Sequence, residues 1–364
     1  MILTHVIGNR LALIVPLTCQ TKDMSEHTPL NSPAQMMQMI TGFWISCCIY
    51  NAAKLDIADL VGSEPQTAEQ LAEAVHADAP SLYRVLRALA GVGIFTENER
   101  GEFSNTPLSE TLKNDVPGSM KAMAIAQLGD HYAAWGNLLY TIKTGKTSFD
   151  KVEGMPVWKY YETHPEEGVN FMKAMTGATV AAINNIIPMY DFSSFKTIVD
   201  VGGGNAAFLM AVLDIAKGAK GIVFDEEYVI VETEKEIAAK GFANRCSTTA
   251  GDFFDQVPAG EDAYILKHIL HDWDNDQSTR ILNNCSKAMA PGSKILVIEA
   301  VIPEGNAPHP GKFMDINMMA MTGGRERTEK EFAALFAKAG LKISRVIHAN
   351  SPSLSIVEGE LSNR

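Results

Sequence analysis

Long apolar runs, paired cysteines and a surplus of basic residues are what this sequence lacks. No stretch reaches the roughly 18 consecutive apolar residues of a membrane-crossing helix, so no membrane span is expected. Lysine and arginine number 31 against 43 aspartates and glutamates, a formal net charge of −12. Phosphate binding needs clustered cations, so this balance argues against a nucleic-acid partner and against an anionic membrane surface. Cysteine is sparse and odd in number: Cys19, Cys47, Cys48, Cys246 and Cys285, with no pair at metal-ligand spacing. Scattered reduced thiols suit a cytoplasmic protein, and no metal site is expected. The apolar start from Ile2 to Leu17 is broken by Thr4, His5, Gly8, Asn9 and Arg10, and no small-x-small cleavage site follows, so export is not expected. Residues 1–31 read as a disordered extension, with Met24 an alternative start.

What is there describes two globular domains. A 364-residue chain is long for one domain, and a 46% hydrophobic fraction supplies an ordinary core. Residues 32–187 read as nearly all helix. Gln35 to Leu60 is apolar almost all round (Met36, Met39, Ile40, Phe43, Trp44, Cys47, Ile49, Tyr50), so it must be buried in a core or against a second subunit. Thr67-Ala68-Glu69-Gln70 is a capping box that opens a short helix. Pro80 opens another with Leu82, Val85, Leu86 and Leu89 on one face. Ile94-Phe95-Thr96 and Phe103, joined by a polar tip, make a hairpin. This is a winged-helix pattern, but Thr67 to Glu110 carries three basic residues (Arg84, Arg87, Arg100) against seven acidic ones (Glu69, Glu73, Asp78, Glu97, Glu99, Glu102, Glu110). A packing and dimerisation module is expected there, not a DNA-binding one.

Beyond Pro188 the texture changes to short β-branched runs between helical stretches: 197–201, 221–225, 247–251, 262–268, 294–300, 341–347 and 354–357. That alternation predicts an α/β domain over 188–364, a parallel sheet with helices on both faces. The first strand ends in Asp200-Val201-Gly202-Gly203-Gly204, followed by an apolar helix. A glycine-rich turn there lets a ligand approach the backbone. Gly202-x-Gly204-x-x-Ala207 also fits the dinucleotide fingerprint, so a nicotinamide-dependent oxidoreductase is one reading. Asp225 ends the second strand, 21 residues after Gly204, where a carboxylate can take both ribose hydroxyls. Asp252 and Phe253 end the third, placed to meet an adenine amino group and ring. The fourth delivers Lys267, His268, His271, Asp272 and Trp273 to the same rim. His271, just past the strand end, is placed to act as a base, with an unperturbed imidazole pKa near 6.5; His268, inside the strand, reads as structural. Glu299 ends an apolar run and needs a partner. Glu326, before the Thr328/Glu331 capping box, is either a solvated charge or a second carboxylate folded toward the site.

At Asp200–Gly204, Lys267–Trp273 and Gly323–Glu331 the chain resembles the plant-type small-molecule O-methyltransferases, a group that includes caffeate, acetylserotonin and bacterial natural-product enzymes. The resemblance spans about Gln35 to Glu358. It implies a homodimer and a class I, Rossmann-like domain that binds S-adenosylmethionine. By motif, it sets Gly202, Asp225, Asp252, Phe253, Lys267 and Trp273 around the cofactor. It makes His271 the catalytic base, flanked by Glu299 and Glu326, and puts the acceptor near Phe171, Met175, Asp315, Asn317 and Met318. Trp135 and the methionines would add an apolar wall for a flat, aromatic, hydroxyl-bearing acceptor. Three departures stand out: Asn205-Ala206 after the glycines, Asp225-Glu226-Glu227 after the second strand, and a short segment between Glu299 and Glu326. A non-catalytic small-molecule sensor is the remaining alternative.

Overall fold

The computed structural model describes residues 32–349 and 354–362. The expectations for residues 1–31 and for Cys19 lie outside the described residues. The chain forms two compact units that part between Val116 and Pro117.

In the first unit, helices Ser32–Ile40, Phe43–Lys54, Ile57–Val61, Ala68–Val75 and Ala79–Gly91 accompany a three-stranded antiparallel sheet. Its strands β1 (Gln66–Thr67), β2 (Phe95–Glu97) and β3 (Glu102–Asn105) lie in the order β1-β3-β2. Local chemistry sets the boundaries. Thr67 and Gln70 close the capping box, and Pro80 stands in the first turn of its helix. The single apolar helix expected over Gln35 to Leu60 is broken twice, at Thr41-Gly42 and at Asp56, whose φ is +55°. Aspartate enters this left-handed conformation more readily than most residues. The bend turns Ile57, Ala58 and Val61 into the core.

In the second unit, β4 (Thr197–Val201), β5 (Lys220–Asp225), β6 (Cys246–Ala250), β7 (Ala263–Lys267), β8 (Lys294–Glu299), β9 (Leu341–His348) and β10 (Ser355–Leu361) form one sheet in the order β6-β5-β4-β7-β8-β10-β9. The first five are parallel, and β10 is antiparallel to both its neighbours. The expected parallel sheet thus ends in an antiparallel pair. The segment between His348 and Ser355 is too short for a crossover, so the last two strands form a hairpin instead. Side chains alternate between two apolar layers. Ile198, Val223, Ile265, Leu296 and Ile356 pack on one face; Val199, Phe224, Leu266, Val297 and Val357 pack on the other.

The helices from Lys121–Leu128 to Pro165–Ile186 belong to this second unit, although the composition changes only near Pro188. Ala182, Ile186 and Ile187 share a core with Phe208, Leu209 and Val212 of the helix after β4. The boundary lies inside one continuous helical texture, where composition carries no mark.

No residue of Ser32–Ile40 is buried. Met36, Met39, Ile40, Phe43 and Trp44 are all exposed, Trp44 by 61%. Contiguous apolar surface of this kind marks an interaction face. Trp44→Glu is expected to weaken self-association by roughly 2 kcal/mol or more, the range of an aromatic anchor at an interface. Light scattering across a dilution series would measure it; an unchanged particle mass would put the contact elsewhere.

Candidate active site

The glycine turn after β4 has conformations that only glycine adopts easily. Gly202 and Gly204 have φ of +69° and +56°. A Cβ on Gly202 would lie 2.4 Å from Ile269 Cδ1, so a side chain there would force the Ile269 side chain aside. Asp225 ties the turn down: its Oδ2 accepts from the Gly204 N–H (2.9 Å) and its Oδ1 from the Glu226 N–H (2.8 Å). One bond to each oxygen leaves lone pairs free for a diol. Burial raises the Asp225 pKa, opposed by those two N–H bonds. Behind the turn, burial pushes Asp200 up to about 7 although Lys267 lies close. Its Oδ2 has no hydrogen-bond partner among the described residues. Lys267 donates to Thr179 Oγ1 at 3.2 Å, and burial lowers its pKa. Phe253 and Trp273 meet edge to face at 6.1 Å, and Phe253 Cε1 would lie 3.8 Å from a Gly202 Cβ. Asp252 is exposed, and its Oδ1 holds the Phe254 N–H.

The loop leaving β7 is gripped from both sides. Glu299, fully buried at the end of β8, accepts from the N–H groups of Ile269 and His271, both at 3.1 Å. Arg327, equally buried, donates to the carbonyls of Leu270 (2.9 Å) and Trp273 (3.0 Å), and to Ser278 Oγ (3.0 Å). His271 Nδ1 meets Glu326 Oε1 at 2.8 Å, and the backbone N–H of Glu326 is held by Asp315 Oδ1 at 2.9 Å. Glu326 is thus folded into the site, 2% exposed, which decides the question its sequence position left open. The loop that carries it packs tightly: a Cβ on Gly324 would lie 2.0 Å from the His271 carbonyl oxygen. His271 Nε2, 3.8 Å from Asp272 Oδ1, makes no hydrogen bond to the described residues.

These surroundings change the imidazole from the ordinary base the sequence suggested. Burial lowers its pKa, but Asp272, Glu326 and Glu299 outweigh burial and raise it to about 10. Burial in turn lifts Asp272 to about 6 and Glu299 to about 7. The cluster holds its proton on the histidine. His268 sits just past β7 rather than inside it, with φ +55° and its ring 5.0 Å from that of His271.

A helical wall stands beside this cluster. Trp135 Nε1 donates to Asn317 Oδ1 at 2.8 Å, on the helix Gly311–Met321 that also carries Asp315 and the buried Met318. Phe171 stacks on Tyr161 at 4.6 Å, and the Tyr161 hydroxyl lies 3.4 Å from His131 Nε2. Met175 lies one turn beyond Phe171 on the helix Pro165–Ile186. Asp200, His268, His131, Tyr161 and Arg327 received no site role from the sequence. Arg327 follows Glu326 directly, and a basic residue beside a suspected buried acid was the available signal. The others become visible only once distant helices meet.

The fold and this rim together define a class I methyltransferase domain. In a dinucleotide-binding sheet a sixth parallel strand would follow β8; here an antiparallel strand takes that place. Residues 135–342 match the O-methyltransferase domain family, and residues 37–115 match the O-methyltransferase dimerisation domain. A phenazine O-methyltransferase from Lysobacter antibioticus is 44% identical over 323 residues, 89% of this chain and 94% of that protein. The crystal structure of LaPhzM superposes with a TM-score of 0.87 at 43% identity, covering 90% of this chain and 98% of that one. An O-methyltransferase from neocarzinostatin biosynthesis, solved with S-adenosylmethionine and 2-hydroxy-5-methyl naphthoic acid, has a TM-score of 0.76 at 30% identity, covering 87% and 95%. The chain belongs to the O-methyltransferase family: it is an enzyme, its cofactor is S-adenosylmethionine, and its relatives serve small natural products. The nicotinamide and sensor alternatives give way to this assignment. No helix of the described residues is long and apolar enough to cross a membrane.

Arg327→Met is expected to leave the carbonyls of Leu270 and Trp273 unpaired and to cost about 3 kcal/mol, within the range for orphaned buried groups. Urea unfolding would measure the loss. A variant as stable as the parent would show that the fork does not brace the loop.

Proposed function

We propose that the enzyme methylates a hydroxyl on a flat aromatic metabolite, with His271 as general base. The observation that carries this is the His271–Glu326 contact, which occupies Nδ1 and leaves Nε2 free at the carboxyl rim of the sheet. When bound, S-adenosylmethionine supplies an electrophilic sulfonium methyl. Asp225 suits the ribose hydroxyls, Gly202 the close approach of the cofactor, and Asp252, Phe253 and Trp273 the adenine side. Asp200 and Lys267, close enough behind the turn to feel each other's charge, suit its charged amino-acid end. Trp135, Phe171, Met175 and Met318 offer an apolar wall for the acceptor ring, with Asn317 and Asp315 at its polar edge. A relative named for a phenazine and another solved with a naphthoic acid bound support an aromatic acceptor. The exposed helices of the dimerisation domain support a homodimer, and the chain's composition supports a cytoplasmic setting.

His271 Nε2 takes the hydroxyl proton while Glu326 fixes the Nδ1–H tautomer and stabilises the imidazolium. Glu299 holds the loop rather than the proton. Holding the two reactants in line contributes up to about 7–11 kcal/mol, and the base adds typically about 10²–10⁴-fold. His271→Ala is expected to lower kcat by about 10²-fold or more, while the affinity for S-adenosylhomocysteine barely changes. The loss should shrink for acceptors acidic enough to ionise unaided. Mass-spectrometric rates across phenols of graded pKa give the answer. Near-normal turnover of a high-pKa phenol would remove the base, and a methyl found on nitrogen would replace the hydroxyl as acceptor.

The raised pKa adds a pH signature. Neutral imidazole accumulates only as pH climbs toward about 10, so kcat/KM should rise through the alkaline range. Glu326→Gln removes a negative neighbour of the imidazolium, so the His271 pKa falls and the acid limb of the profile moves to lower pH. The maximum should drop as the tautomer lock is lost. A limb that stays put or moves to higher pH would contradict the assignment.

A further inference from the structure

His268 has no place in the steps above, yet its position is unusual. The backbone there is left-handed, with φ +55°, a conformation uncommon for any residue that carries a Cβ, although histidine enters it more readily than most. Such strain persists only where the surroundings enforce it. Here the His268 N–H bonds to the Ile298 carbonyl at 3.2 Å, and Glu299 captures the next N–H at Ile269 and that of His271. The turn sets the His268 ring against the ring of His271, centroids 5.0 Å apart and tilted by 34°. The side chain is half-buried, and its imidazole hydrogen-bonds to none of the described residues. Burial, then His271 and Lys267, hold its pKa well below the ordinary value, so it is neutral when His271 is charged. A neutral imidazole can donate or accept. Two adjacent imidazoles, one matched to a carboxylate and one free, suit an acceptor that offers two adjacent polar atoms.

We propose that His268 is a specificity-determining residue, whose ring hydrogen-bonds a second heteroatom of the acceptor, placed ortho or peri to the hydroxyl that is methylated. The substrate class is therefore a hydroxylated aromatic with a neighbouring ring nitrogen, carbonyl or hydroxyl, not an isolated phenol. This rests on the acceptor lying at His271.

The test uses 8-hydroxyquinoline and 1-naphthol, which match in shape and differ by the ring nitrogen beside the hydroxyl. Dissociation constants are measured by calorimetry on the full-length enzyme saturated with S-adenosylhomocysteine, for the wild type, His268→Phe and His268→Asn. The wild type should prefer 8-hydroxyquinoline by roughly tenfold or more, the effect of one buried hydrogen bond. His268→Phe should bring that preference near unity with 1-naphthol affinity little changed. Asparagine tolerates the left-handed backbone and keeps a polar group, so His268→Asn should retain most of the preference. A merely structural role would weaken both ligands together and leave the ratio alone. That result, or a wild type that binds both equally or neither, overturns the proposal. The base assignment is judged separately, by whether wild-type enzyme methylates 1-naphthol and His271→Ala does not.

Discussion

A carboxylate cannot be left alone in a protein core, and the burial of Glu299 is the constraint around which this site is arranged. Among the described residues, its hydrogen-bond donors are two backbone N–H groups of the loop leaving β7. To present both to one oxygen, that loop must turn sharply, and His268 takes up the left-handed conformation that the turn demands. The same loop then has carbonyls pointing the other way, and the guanidinium of Arg327 takes those of Leu270 and Trp273. Donors on one side and acceptors on the other fix the loop without any contact to His271's side chain. The imidazole therefore enters an already rigid frame, and Glu326 needs only to orient it.

Much of this was legible in the sequence. Six of the seven strands fall within a residue or two of their apolar runs, because a short β-branched run between turn residues reports its own boundaries; the last runs on to Leu361, past the expected end at Val357, because Glu358 and Glu360 carry no apolar mark. The Thr67 and Thr328 capping boxes were legible for the same reason: both partners lie within one turn. Glu326 was not, because whether a charge before a helix is solvated depends on Gly324 permitting close approach to His271. The continuous helix expected over Gln35 to Leu60 failed because a hydrophobic pattern does not show that Asp56 will leave the helix. The imidazole's basicity failed likewise. His271 and Asp272 are neighbours in sequence, but Glu299 and Glu326 arrive from elsewhere, and their combined field outweighs burial.

The glycine-turn side of the rim follows a different logic from the His271 side. Around Gly202 to Gly204 the backbone does the positioning, and the side chains of Asp200, Asp225 and Lys267 brace or complement it. The departures in Asn205-Ala206 are accommodated there: Ala206 adopts φ +65° and opens the following helix. Around His271 the side chains do the positioning, drawn from β8, from the segment before helix Glu329–Lys338 and from helix Gly311–Met321. The two halves of this rim thus share one sheet edge but depend on different kinds of contact.

The antiparallel placement of β10 has a consequence for synthesis. Glu299 pairs in register with Ser355, so the strand that bears the buried carboxylate gains its second neighbour only from a segment more than fifty residues downstream. Until residue 361 has left the ribosome, β8 is an open edge with unpaired amides and carbonyls, the kind of surface on which nascent chains pair wrongly. Vectorial folding can shape the glycine turn and the β4–β7 side of the sheet early, but the Glu299 edge stays open until β10 has been made.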